Sequence, residues 1–205
     1  MVGGLVLKQC LNSAEIKEVV SLVRKPTGKT HQKLSEVVIE DFTDYTARAA
    51  SFEGLSAAFF CIGVYTGEVA DDIFKKLTVD YAVAFAAAVE KNSPKARLCL
   101  LSGAGADRTE KSRTSFARYK GMAENQIDAM NLAFHSFRPG YIYPVTPRKE
   151  PNMMYRVSRL MYPLLKLFGE NFSIKSTELA AAMFSVGING AEKTVLENRD
   201  ILEVA

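Results

Sequence analysis

Short apolar runs alternate along this chain with longer segments of helical period, and that alternation constrains the fold more than any other feature. The runs are Val19–Arg24 (VVSLVR), Glu36–Glu40 (EVVIE), Ala57–Ile62 (AAFFCI), Arg97–Leu101 (RLCLL) and Ser136–Arg138 with its flanks (FHSFR). Most are apolar on both faces, as strands are when helices cover a parallel sheet on each side. Helical patterns occupy Gly4–Leu11, Asp44–Phe52, Asp71–Lys91, Lys111–Leu132, Asn152–Phe168 and Ser176–Val186, and Thr194–Leu202 reads as a closing strand or hairpin. Ser176, with Glu178 close by, is the expected cap of its helix. The predicted class is α/β with a doubly wound parallel sheet. No linker or repeat divides the chain, so residues 1–205 are expected to form a single domain. Pro144, Pro147 and Pro151 break the alternation, and 144–205 is expected to contribute a small substrate-facing lobe.

Charge and cysteine usage narrow the function. A net charge of +3, from 26 Lys+Arg and 23 Asp+Glu spread along the chain, is too weak a footprint for a dedicated nucleic-acid binder. No apolar run approaches the ~20 residues of a membrane span. Cys10, Cys61 and Cys99 lie in apolar stretches without paired spacing and read as buried thiols of a reducing compartment. His31 and His135 stand apart from each other and from any cysteine, so no metal site is expected. The opening MVGGLVLKQCL lacks the pattern of a secretory signal, which makes the cytoplasm the expected location.

A doubly wound fold binds ligands just past the carboxyl ends of its strands. Arg24-Lys25 closes the first run. A base there accommodates a nucleotide 2′-phosphate where an acid would take the free ribose hydroxyls, and the plain alternative is a solvated turn before Pro26-Thr27-Gly28. Asp41-Phe42 follows the second run, where Asp41 either accepts from an adenine amino group or caps the next helix. Ile62-Gly63 follows the third, and a glycine at a strand tip permits close approach of a flat ligand or simply a turn. After the fourth comes Ser102 with Gly103, Ala104 and Gly105, a hydroxyl followed by small residues. Downstream, Phe116 and Lys120 are four residues apart and share one helix face. Alone, Lys120 also reads as an ordinary surface lysine.

In this order the segments resemble the short-chain dehydrogenase/reductase superfamily. They are most similar to its atypical branch of NAD(P)-binding, epimerase-like proteins, which includes the Tat-interactive oxidoreductase-like proteins. LVRK, the acidic-aromatic pair, FFCIG, the DYAVAFAAAVE helix, LLSGAGAD, FARYKGMAE and FRPGYIYP carry the resemblance, with Arg138-Pro139-Gly140 its most specific element. It implies a Rossmann-like fold and a nicotinamide dinucleotide, NADP in preference to NAD. The cofactor-binding positions it implies are Gly3, Arg24, Lys25, Asp41, Phe42, Ile62, Gly63, Lys120, Arg138, Pro139 and Gly140. The RPG backbone would border the nicotinamide.

Two departures bear on function. The family opens with a strand and a GxTGxxG turn, whereas here Gly3 stands as the last glycine of the turn. The first strand would lie at the centre of the sheet, so without it two strands lose a ladder partner and a pyrophosphate loses backbone donors. A start upstream is the expectation drawn from this, with a fragment impaired in folding and cofactor binding as the alternative. The family's catalytic motif is Y-x-x-x-K, and here Phe116 stands where the tyrosine would, with Lys120 retained. Phenylalanine transfers no proton. Tyr119 is about 100° around the helix from Lys120 and so faces elsewhere. The expected activity is an oxidoreductase or epimerase-like one. Ser102 would contact the substrate oxygen, Lys120 would hold the ribose, and Tyr141 or Tyr143, on the substrate side, or water would replace the acid. The alternative is a catalytically silent NADPH-binding sensor or protein-interaction module. The partners implied are a nucleotide and either a small substrate or a protein.

Overall fold

The computed structural model describes residues 1–65, 67–145 and 172–205. At its centre four strands pair in parallel in the order β3-β4-β5-β8: β3 (Ala57–Phe60), β4 (Arg97–Leu101), β5 (Ala133–Arg138) and β8 (Val195–Glu197). Side chains alternate between the two faces, as the pleat requires. Leu98 and Leu100 point to one face and Cys99 to the other, all at most 1% exposed.

Each face is closed by helices whose buried residues recur at helical spacing. Ala82, Ala86 and Val89 of α3 (Tyr81–Asn92) and Ala123 and Ile127 of α4 (Ser115–Asp128) pack on the Leu98/Leu100 face with Phe52, Ala58 and Phe60. Val2, Val6 and Cys10 of α1 (Val2–Asn12) and Leu179, Met183 and Val186 of α5 (Ser176–Asn189) pack on the opposite face around Cys99 and Phe137, joined by Ile201 of α6 (Asn198–Glu203). Full burial of each such aliphatic side chain stabilises by roughly 1.5–3 kcal/mol. α4 sits unusually close to the loop after β4. A methyl group at Gly121 would lie 1.8 Å from the Asp107 carbonyl oxygen, so this helix can seat only where it has no side chain.

The remaining strands form separate pairs. β1 (Val19–Val23) and β2 (Leu34–Val38) pair in parallel, as do β6 (Tyr141–Tyr143) and β7 (Ser173–Lys175). No ladder joins β1 to β3. That break falls where the family resemblance implies a further strand.

Several boundaries differ from those read in sequence. The run expected as one helix over Asp71–Lys91 is α2 (Asp71–Lys75), a π-helical turn (Lys76–Asp80) and α3 in unbroken succession. The segment near Asp44–Phe52 is a 3₁₀ helix over Thr46–Phe52. Thr194–Leu202 is a three-residue strand followed by helix, rather than a strand or hairpin throughout. The residue capping α5 is Lys175, not Ser176. Extended backbone places Lys175 before the first turn, and Glu178 accepts from its N–H at 3.0 Å. The helix read over Asn152–Phe168 lies outside the described residues.

Candidate functional site

The carboxyl ends of β1 and β3 border one cavity of about 490 Å³. Leu22 and Arg24 line it from the end of β1, Phe42 from the segment after β2, Cys61, Ile62 and Gly63 from the end of β3, and Leu77 and Tyr81 from the helical segment that follows. Phe42 is buried and stacks on Tyr81 with ring centroids 5.5 Å apart and planes inclined by 27°. The π-helical turn carries Leu77 to the same wall, and such single turns often mark functional positions. The cavity thus offers aromatic and aliphatic walls with one guanidinium at its rim. Lys25 is not among its lining residues, and Asp41 spends Oδ1 on the Thr43 N–H and hydroxyl at 2.9 and 2.7 Å. Those bonds hold the Asp41 carboxyl below the usual range.

Gly3 stands beside this cavity at the amino end of α1. A Cβ there would approach the Cys61 Cβ to 3.1 Å, so the missing side chain is what lets the helix lie against the end of β3. Burial pushes the Cys61 thiol up to about 12 and Cys10 up to about 11, and it raises Cys99 as well. All three are free thiols.

At the carboxyl ends of β4 and β5 the geometry is organised by a fully buried carboxylate. Glu124 of α4 accepts from Ser102 Oγ at 2.6 Å and Ser136 Oγ at 2.8 Å. Arg138 donates to it from Nε at 3.0 Å and Nη2 at 2.5 Å. Burial opposes the charge, but the bonds from Arg138, Ser102 and Ser136 outweigh it and hold the carboxyl below its usual value. The pairing in turn raises Arg138, which also reaches Glu197 at 3.0 Å.

No protein-family model and no curated protein matches the sequence. Solved structures do match. A protein described as an NAD-dependent epimerase/dehydratase from Bacillus halodurans superposes with a TM-score of 0.65 at 15% identity, over 99% of this chain and 94% of its own. The Bordetella bronchiseptica enzyme WbmH in complex with NAD+ gives 0.71 at 16% identity, over 96% of this chain and 71% of its own. WbmG from the same organism, in complex with NAD and UDP, gives 0.67 at 14% identity, over 99% and 73%. The chain has the Rossmann fold of these NAD-binding proteins.

Within that Rossmann fold the sequence-predicted residues fall into two groups. Arg24, Phe42, Ile62 and Gly63 meet at the cavity, with Gly3 at its edge. Ser102, Phe116 and Lys120 meet at the end of β4. Phe116 lies against Gly103, where a Cβ would come within 2.5 Å of its ring. Lys120 donates to the Leu101 carbonyl at 3.0 Å, and burial brings its ammonium down to about 8, partly offset by the charge of Glu124. Tyr119 is buried elsewhere, its hydroxyl donating to Asp71 at 2.5 Å. Pro139 accepts from the Ala104 N–H at 2.9 Å and the Gly140 N–H donates to Asn198 at 2.8 Å, so the RPG turn is pinned on both sides. Tyr141 and Tyr143 are half-buried in β6, two residues apart and therefore on one face of that strand.

Glu124 was not singled out from the sequence. An acid within GMAENQI reads as a solvated helix position, yet it falls four residues after Lys120 and eight after Phe116, on the face the motif already marked.

Proposed function

We propose that this chain binds a nicotinamide dinucleotide and is an oxidoreductase or epimerase-like protein of the atypical short-chain dehydrogenase/reductase type. The observation that carries the reading is the cavity at the ends of β1 and β3. Its Phe42–Tyr81 wall suits an adenine ring, Gly63 leaves room for close approach, and Arg24 at the rim suits a 2′-phosphate, which favours NADP over NAD. The uncapped amino end of α1 beside it suits the pyrophosphate. Lys120 would hold the ribose and the RPG backbone would line the nicotinamide. When bound, that ring supplies the hydride chemistry.

Residues 144–205 would contribute the substrate-facing lobe, with β6 and β7 its described sheet and α5 and β8 anchoring it to the central one. Nucleotide sugars are the substrate class this reading favours, because WbmG is described with UDP. The free thiols suit the reducing cytoplasm.

Equilibrium titration with NADPH and NADH tests the cofactor assignment. Replacing Arg24 and Lys25 by Ser and Ala is expected to weaken NADPH at least tenfold more than NADH. Equal weakening would overturn the NADP preference.

A second reading, a silent NADPH-binding sensor or interaction module, draws on the Ser102 proton being held by Glu124, one Lys120 N–H being held by Leu101, and Phe116 lying against Gly103. Lys120 keeps two N–H groups beyond the one on Leu101, but neither Ser102 nor Phe116 has a hydroxyl proton free to give to a substrate oxygen. Phe116→Tyr restores one, and such groups contribute typically ~10²–10⁴-fold. A rise of that order in NADPH oxidation with carbonyl substrates supports an otherwise intact active centre. No change under saturating NADPH favours the silent protein.

A further inference from the structure

Lys120 is a partly buried ammonium with one neutral partner. It donates to the Leu101 carbonyl at 3.0 Å, and among the described residues no carboxylate lies within ion-pair distance of it. Glu124, one turn further along α4, is taken up by Arg138, Ser102 and Ser136. Phe116, one turn back, offers no polar atom. An ammonium drawn out of water without a counter-charge gives up its proton more readily. Burial brings Lys120 down to about 8, and Glu124 and Cys61 are the groups whose charges bear on it.

The direction of the Leu101 carbonyl places this nitrogen. Arg97 N–H donates to the Ser56 carbonyl at 3.1 Å, and Ser102 N–H donates to the Phe137 carbonyl at 2.8 Å. Bonds alternate between the two neighbours along a strand paired in parallel on both sides, so Arg97, Cys99 and Leu101 turn toward β3 while Leu98, Leu100 and Ser102 turn toward β5. The β3–β4 ladder ends at Phe60↔Leu100, and the next residue, Cys61, is a wall of the cavity. Lys120 Nζ therefore lies on the cavity side of β4, past the end of β3. Ile62, Val64, Val69 and Leu77 make that cavity apolar. The Cys61 thiol, pushed up to about 12 by burial, stays protonated and is no rival nucleophile.

We propose that the Lys120 amine captures small apolar aldehydes as an imine at the end of β3 and β4. A lysine desolvated in an apolar site is a nucleophile toward carbonyl carbon. The nitrogen lone pair attacks the carbonyl carbon to give a carbinolamine. The C–O bond then breaks, and the two protons that the amine gives up leave with the oxygen as water, so amine and aldehyde yield imine and water with no oxidant or reductant. The Ser102 hydroxyl is held by Glu124 and cannot polarise the carbonyl, which favours an aldehyde over a less electrophilic ketone. The inference goes beyond the nucleotide reading and does not require it.

The test treats the full 205-residue chain at pH 7.5 with propionaldehyde and cyanoborohydride, which fixes an imine as a secondary amine, and maps the alkylated lysines by peptide mass spectrometry. Lys120 is expected to react at least tenfold faster than the exposed Lys75 and Lys91, with a rate that levels off above pH 8. In urea, where the fold no longer shields it, the preference should vanish while the Lys120 peptide is still alkylated. A folded chain in which Lys120 reacts no faster than Lys75 and Lys91, or a preference that survives in urea, would overturn the proposal. Saturating NADPH separates this inference from the nucleotide reading. Slower alkylation of Lys120 alone means that the imine and the dinucleotide share one space, whereas alkylation unchanged by NADPH leaves the imine standing and counts against the dinucleotide site.

Discussion

The two ends of the rim formed by the strands' carboxyl ends are built in contrasting ways. Past β4 and β5, Ser102, Ser136 and Arg138 converge on one buried carboxylate, and Arg138 continues to Glu197. Past β1 and β3 there is instead an apolar cavity with a guanidinium at its rim, between strands that share no ladder. The first arrangement is satisfied within the chain and has few groups to offer a ligand. The second has open volume. Stability and ligand capacity therefore reside at different ends of the fold. The β1–β2 pair is held by packing of Leu22, Val37 and Val19 rather than by backbone continuity.

Breaking the closed end has the largest expected effect. Glu124→Ala leaves a half-buried guanidinium short of its main partner and two buried hydroxyls without their acceptor, and it should cost about 3–5 kcal/mol in urea unfolding. Glu124→Gln, which keeps an acceptor but loses the charge, should fall between. Because the folded-state value of Glu124 lies below its ordinary 4.5, its ionic contribution is present above that pH and is lost as pH falls. The native chain should lose more stability than Glu124→Gln between pH 6 and pH 3. Parallel curves would mean that the charge contributes nothing.

Lys120 lies between the two ends, and its expected effect is smaller. Its folded-state value of about 8 lies below the ordinary 10.5. The unfolded chain thus binds more protons from pH 8 to 10.5, and the cost of burying this charge is relieved as pH rises through that window. Measured from pH 7 to pH 10, the native chain should gain on a Lys120→Met variant by on the order of 1–3 kcal/mol. A stability difference independent of pH would show that the ammonium is not confined.

How far the sequence carries varies with the range of the interaction. β4 is legible to the residue as Arg97–Leu101, because a five-residue apolar run bounded by Asn92-Ser93-Pro94 and Ser102-Gly103 is too short for a helix and suits a strand buried on both faces. The strand-tip residues Arg24, Phe42 and Gly63 are legible because a doubly wound sheet puts ligands there. Glu124 is not legible. Its partners are up to 22 residues away, and only the folded sheet brings Ser102, Ser136 and Arg138 around it. The Lys175 cap escapes for a related reason, since lysine lacks the acceptor that makes a cap recognisable. The strand of β8 is only three residues long, too short for any period to show.

Thermal unfolding of the chain followed by circular dichroism, with NADPH, with NADH and with neither, tests the central claim that the open end is a dinucleotide site. NADPH at about a hundred times its Kd should add ~2.7 kcal/mol and raise the midpoint, with a smaller rise from NADH at the same concentration. Identical midpoints in all three conditions, with both dinucleotides in millimolar excess, would contradict it.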